Sequence, residues 1–98
     1  DSITAGTGND SIVAGAGNDT VSSGAGDDYI DAGAGADSVV AAAGNDTLVF
    51  DAADQIMDGG AGTNVLKIND STVDLTTISD ALATNFQIID LTIGYYYI

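Results

Sequence analysis

The 98-residue sequence has no cysteine, histidine, arginine, glutamate, proline or tryptophan, and Lys67 is its single basic side chain. Without cysteine, neither disulfides nor thiolate metal sites can form, and the additional lack of histidine makes zinc and other transition metals poor candidates. A nucleophile–base pair also lacks its usual members. We therefore expect no catalytic residues, no organic cofactor and no enzymatic activity in this chain.

No apolar stretch approaches the roughly 20 residues that cross a bilayer, so we expect no membrane insertion. The formal net charge of −14 would repel nucleic acid. An apolar content of 45% argues against permanent disorder. All fifteen acids are aspartate, the shorter carboxylate, which suits tight turns and metal ligation. All-oxygen ligation favours Ca²⁺ over Mg²⁺, because Mg²⁺ demands a stricter octahedron and holds its water.

A nine-residue unit of the form small-Gly-x-Gly-x-Asp-x-apolar-x repeats five times between residues 5 and 49. The Gly-rich part predicts a turn, and the x-apolar-x part predicts a very short strand with its central side chain directed inward. A period that locks glycine to carboxylate indicates a calcium-binding repeat. The units are AGTGNDSIV (5–13), AGAGNDTVS (14–22), SGAGDDYID (23–31), AGAGADSVV (32–40) and AAAGNDTLV (41–49).

Residues 50–58 lose the glycines, but the phase returns in residues 59–67 (GGAGTNVLK), so the degenerate unit still fills one place in the array. Its register has two alternatives. Met57 keeps the frame and is favoured, whereas Asp54 and Ile56 fit a one-residue slip. The acids Asp51, Asp54 and Asp58 form either a further metal site or, as we favour, a solvated loop.

From residue 68 onward the composition shifts to Thr, Ile, Leu and Asn, as expected of a segment that covers the end of a solenoid. We predict strands at residues 73–75 and, buried, at 87–93, and a short helical turn over Ala81–Phe86. Tyr95–Tyr97 are assigned to packing in preference to recognition. The predicted domains are residues 1–67, the repeat array, and 68–98, the capping segment.

The units at residues 1–49 and 59–67 resemble the RTX nonapeptide G-G-x-G-x-D-x-U-x, in which U is a large aliphatic residue. The resemblance implies an all-β, right-handed parallel β-roll (a β-solenoid) with two nonapeptides per turn. It also implies Ca²⁺ ions between successive turns, bound by loop carbonyls and by Asp carboxylates of two stacked loops. Stacked partners would then lie eighteen residues apart, in two columns: Asp1, Asp19 and Asp37, and Asp10, Asp28, Asp46 and Asn64.

By this resemblance, loop pairs 19/37, 10/28 and 28/46 make full sites, while pairs 1/19 and 46/64 are incomplete. The implied side-chain ligands are Asp10, Asp19, Asp28, Asp37 and Asp46, with weaker roles for Asp1 and Asn64. The implied backbone ligands lie in the loops at Gly6, Gly8, Gly15, Gly17, Gly24, Gly26, Gly33, Gly35 and Gly44. Asn9, Asn18 and Asn45 are interpreted as turn formers, and Asp27 and Asp31 as surface charge.

The sequence departs from the family pattern in its first glycine, which is replaced by Ala or Ser in all five units. If that position needs φ > 0, each replacement is strained. The second glycine is replaced only in the fifth unit, by Ala42, which makes the loop at residues 41–46 the most doubtful site.

The resemblance implies a Ca²⁺-binding structural module of a secreted or cell-surface protein of a Gram-negative bacterium, exported by type I secretion. The tail is similar to RTX surface-layer and adhesin proteins. Alternatives are the C-terminal RTX domain of a secreted enzyme or toxin and, less favoured for want of a regular Thr ladder, an ice-binding face. The chain begins within a repeat, so we expect a piece of a longer protein. Copies stacked end to end through Ca²⁺ are a further hypothesis.

Overall fold

The computed structural model describes residues 1–50, 54–68 and 83–90. These residues form ten short strands arranged in two parallel sheets of five. Odd-numbered strands make one sheet, in the order β1-β3-β5-β7-β9, and even-numbered strands make the other, in the order β10-β8-β6-β4-β2. The strands are β1 (Ser2–Thr4), β2 (Ser11–Val13), β3 (Thr20–Ala25), β4 (Tyr29–Asp31), β5 (Ser38–Ala43), β6 (Thr47–Phe50), β7 (Ile56–Asp58), β8 (Val65–Ile68), β9 (Ala83–Thr84) and β10 (Ile88–Asp90).

Because consecutive strands alternate between the two sheets, each pair of nonapeptides completes one turn of a solenoid. Each strand from β1 to β6 pairs with the strand eighteen residues further on; Val21, for example, lies beside Ile3 and Val39. The predicted parallel β-roll is therefore confirmed. None of the described residues lies in a helix, so this part of the chain contains no helical segment long and apolar enough to cross a membrane.

The core is a stack of the aliphatic residues from each unit, which point between the two sheets because alternate strand residues face opposite sides. A second buried row comes from the first position of the units. It includes Ala32 and Ala41, and near the cap it changes to the larger Phe50 and Ile68. The stacked aliphatic residues that are buried are Ile12, Val21, Ile30, Val39, Leu48, Met57 and Leu66.

The degenerate unit keeps the frame, as predicted. Met57 is fully buried and pairs with Val39, whereas Ile56 is 46% exposed on the outer face of β7. The alternative register, with Ile56 inward, is excluded. The expectation that Asp54 lies in a solvated loop is wrong, because Asp54 is only 4% exposed.

The expectation of a helical turn over Ala81–Phe86 is wrong where the structure describes it, because Ala83–Thr84 form strand β9 beside β7. Pairing satisfies backbone groups of β7 that a helix would leave open, and it overrides the local helical preference. Strand β10 lies within the predicted strand at 87–93, but Ile88 and Ile89 are about half exposed rather than buried. Asp51, the predicted strand at 73–75 and Tyr95–Tyr97 lie outside the described residues.

Candidate metal centre

The repeat aspartates stack in two columns, one at each edge of the roll, where a Gly-rich loop leads into a strand. In each column the carboxylate of one turn accepts a hydrogen bond from the backbone N–H of its counterpart eighteen residues earlier. The N–H groups of Asp10, Asp19 and Asp28 donate to Oδ1 of Asp28, Asp37 and Asp46, each at 2.8 Å. The amino group of Asp1 contacts Asp19 Oδ1 in the same way. Thus the structure forms the predicted loop pairs.

The second oxygen of each carboxylate has a different environment. Oδ2 of Asp10, Asp19, Asp28, Asp37 and Asp46 is buried and receives no hydrogen bond. Four of these repeat aspartates are at most 3% exposed: Asp19, Asp28, Asp37 and Asp46. A buried anionic oxygen without a donor is costly unless a cation neutralises it. Five equivalent oxygens in that state fit an ion held between successive loops.

The surroundings of Asp46 disfavour a negative charge on its carboxylate. Burial raises the pKa of Asp46 above its ordinary value, the hydrogen bond from Asp28 N–H opposes that rise, and the nearby Asp28 and Asp27 carboxylates add to it. The ionised form of Asp46 is therefore disfavoured by the protein alone. A divalent cation between the loops would reverse the sign of this interaction.

A second ladder runs beside the first at the residue preceding each repeat Asp, in the opposite direction. Asn9 Oδ1 accepts from the Asp27 N–H at 2.8 Å, and Asp27 Oδ1 accepts from the Asn45 N–H at 2.9 Å. Asn18 and Asn45 make the same bond to the residue eighteen positions later. Hence the Asn residues join adjacent loops as well as forming turns, and Asp27 is hydrogen-bonded rather than simply surface charge.

Glycine is required where one loop lies directly against the next. A Cβ on Gly26 would lie 1.9 Å from Gly8 O, and one on Gly24 would lie 2.1 Å from Gly6 O. Both residues also have positive φ. Such close stacking sets the carbonyls of one loop against the backbone of its neighbour, which suits a site shared between turns.

The first position of the unit does not need positive φ, so its Ala and Ser residues are unstrained and the expected penalty there is absent. These small side chains instead line the core: Ser23 is fully buried and its Oγ donates to Ala41 O at 2.9 Å. Strain is confined to the second position of the fifth unit, where Ala42 has φ 80°. Thus the concern about Ala42 has a structural basis.

The predicted backbone ligands all lie in the stacked loops, and some of their carbonyls already accept hydrogen bonds. Gly6 O and Gly15 O each accept from a backbone N–H of the next turn, at 3.0 Å. A carbonyl has two lone pairs, so each retains one for a cation. Among the described residues no three carboxylates cluster as a metal site, so a bound ion would need carbonyls in addition to paired carboxylates.

The column that contains Asn64 continues into the cap through a residue that the sequence did not reveal. Asn64 Oδ1 accepts a hydrogen bond from the Asp46 N–H at 2.8 Å, and Gln87 Oε1 accepts the equivalent bond from the Asn64 N–H at 2.7 Å. The step from Asn64 to Gln87 is 23 residues instead of eighteen. The eighteen-residue period of the sequence therefore could not identify Gln87 as a member of this column.

A family model described as the RTX calcium-binding nonapeptide repeat (4 copies) matches residues 1–30 and 15–48. The repeat region of this chain belongs to the RTX family. Searches of curated proteins and of solved structures returned no significant match.

RTX repeats bind Ca²⁺, and proteins that carry them are typically secreted by Gram-negative bacteria. The paired carboxylates, the unpaired buried oxygens and the Gly-rich loops fit that ion. Ca²⁺ would supply the positive charge that the stacked RTX loops lack, and the Asp columns with the loop carbonyls would hold it.

Proposed function

We propose that the RTX roll is a structural module of a surface-layer, adhesin or filament protein, that it folds when Ca²⁺ binds between its turns, and that it performs no catalysis. The observation that carries this proposal is the row of buried Oδ2 atoms without donors, found in every repeat Asp from Asp10 to Asp46. The proposed side-chain ligands are those five residues, and the surrounding loops supply carbonyl oxygens.

The small core supports a metal-dependent fold. Strands β1 to β5 and β7 each contribute one large inward side chain, and the second core row consists mainly of Ala. Burial at roughly 25 cal/mol per Å² from such side chains does little against the entropy of ordering each residue. The chain also has a net charge of −14, which opposes compaction. Ca²⁺ binding would therefore supply free energy of folding directly.

A structural role is supported by what the columns contain. The chain has no histidine, cysteine or arginine to serve beside its carboxylates, and the stacked carboxylates are committed to the loops. Among the described residues, strands β1 and β2 each lie at one edge of their sheet. An edge strand of this kind can pair with a strand of another chain. Stacking of copies through Ca²⁺ at this edge is the assembly that we propose.

Circular dichroism tests the folding proposal. We expect a disordered spectrum in EGTA and a β spectrum in millimolar Ca²⁺, with Mg²⁺ at the same concentration as the control for ionic strength. A spectrum unaffected by Ca²⁺ would contradict the proposal. Sedimentation velocity at saturating Ca²⁺ tests assembly separately, since a monomer at high protein concentration excludes stacking but leaves the folding claim intact.

A further inference from the structure

The side-chain amide of Asn64 is fully engaged inside the protein. Its Oδ1 accepts from the Asp46 N–H, as a repeat Asp would. Its Nδ2 donates to Gly60 O at 3.2 Å in its own loop and to Asn85 O at 3.0 Å in the next turn. Asn64 itself is fully buried. The amide therefore bridges two successive layers of the column.

Comparison with the equivalent residue one turn earlier shows which atom Nδ2 of Asn64 replaces. Asn64 lies eighteen residues after Asp46, and both residues use Oδ1 to accept from the preceding turn, so Nδ2 of Asn64 corresponds to Oδ2 of Asp46. Oδ2 of Asp46 has no donor, whereas Nδ2 of Asn64 is itself a donor and has two carbonyl acceptors. The layer at Asp46 needs a cation between its oxygens. In the layer at Asn64, the amide N–H groups donate hydrogen bonds to the oxygens instead.

The backbone beside the Asn64 amide leaves no room for a further side chain. A Cβ on Gly59 would lie 2.8 Å from Asn64 Nδ2 and 2.7 Å from Asn85 O. The equivalent position one turn earlier is Ala41, so a side chain is accommodated in the preceding layer but not here. Gln87, another uncharged amide, then takes the next place in the column.

We propose that Asn64 ends the calcium column by putting an amide NH₂ where the earlier layers hold Ca²⁺. The layer between the loop at residues 59–64 and residues 85–87 is thus closed without metal, and Asn64 fixes the number of ions in this column. The inference rests on the proposed function, because it assumes that Ca²⁺ lies between the earlier loops.

Asn64→Asp tests the inference by restoring the carboxylate. Isothermal titration calorimetry of the full chain with CaCl₂ should show one more bound Ca²⁺ than in the unsubstituted protein. At Ca²⁺ concentrations below saturation the variant should be less ordered than the unsubstituted protein, because a buried carboxylate without a bound ion would face the Gly60 and Asn85 carbonyls. Asn45→Asp is the matched control, since Asp27 already occupies the same exposed column, and it should leave the number of ions unchanged.

An unchanged number of ions in Asn64→Asp overturns the inference, as does failure of this variant to fold at saturating Ca²⁺. An equal increase in Asn45→Asp also overturns it, because added charge alone would then explain the result. If the unsubstituted protein binds no Ca²⁺, the proposed function itself fails. The two failures are therefore distinguishable from the same set of titrations.

Discussion

Asp28 and Asp46 occupy the same place in successive turns, and the Asp28 backbone N–H donates to Asp46 Oδ1 at 2.8 Å. The bond fixes the carboxylate of one turn against the backbone of the other, and it leaves Asp46 Oδ2 buried without a donor. A side chain held by one oxygen and open at the other is already oriented for a cation. Preorganisation of this kind reduces the entropy that ion binding would otherwise cost.

Asp28→Ala should weaken Ca²⁺ binding much more than Asp27→Ala. Asp28 lies in the middle of its column and faces the loops of both Asp10 and Asp46, so its loss removes a charged ligand from two layers. We expect the Ca²⁺ concentration at the folding midpoint to rise by about tenfold or more, equivalent to ~1.4 kcal/mol. A Ca²⁺ titration followed by circular dichroism measures this midpoint.

Asp27→Ala is the matched control because its carboxylate makes only an exposed hydrogen bond, to the Asn45 N–H. Alanine already occupies the equivalent place at Ala36 on the other edge of the roll. The midpoint should shift by less than about threefold, since a single exposed hydrogen bond contributes roughly 0.5 kcal/mol. Equal shifts in the two variants would show that charge in general, rather than the column, governs binding.

Met57→Ala should destabilise the Ca²⁺-loaded protein by about 2–5 kcal/mol, because Met57 is fully buried between Val39 and the cap strand β9. Ile56→Ala, one residue earlier on the outer face of β7, should change the stability by less than about 0.5 kcal/mol. Urea unfolding at saturating Ca²⁺ measures both. The reverse order would mean that the degenerate unit has slipped by one residue.

The parts of the fold that follow the eighteen-residue period were predictable from sequence, because one spacing sets both the core and the carboxylates. The same eighteen-residue spacing places Ile30 beside Ile12 in the core and Asp28 beside Asp10 in the carboxylate column. Gln87 was not predictable, since it lies 23 residues after Asn64 and so breaks the eighteen-residue period. The role of the first-position residues was also hidden: only the backbone shows that Ala41 faces the core while Ala42 has positive φ.

Asp58 should titrate below its ordinary pKa of 3.8, because the side-chain hydrogen bond from Asn85 lowers it and the Gly60 N–H adds to that effect against the opposing effect of burial. A depressed pKa in the folded state contributes stability that is present above pH 3.8 and is lost as the pH falls through the lower, folded value. A ¹³C NMR titration of the carboxyl group at saturating Ca²⁺ measures the midpoint.

Asn85→Gly provides the comparison for that titration. Glycine tolerates the φ of 62° at this position but removes the amide that donates to Asp58 Oδ1 at 2.7 Å. The Asp58 midpoint should move upward toward 3.8 in this variant. A midpoint that is the same in both proteins would show that the Asn85 amide does not stabilise the ionised carboxylate.

Ala42→Gly should stabilise the folded protein, even though glycine usually weakens a strand. Ala42 has φ 80°, a left-handed conformation that costs a residue with a Cβ about 1–2 kcal/mol, and glycine removes that cost. The greater freedom of glycine in the unfolded chain returns roughly 0.5–1 kcal/mol, so the net gain should be about 0.5–1 kcal/mol. Ala43→Gly, in the same strand but without positive φ, should lose about 0.5–1 kcal/mol instead. Opposite signs for these neighbouring substitutions, measured by urea unfolding at saturating Ca²⁺, would locate the strain at Ala42; a loss of stability in both would exclude it.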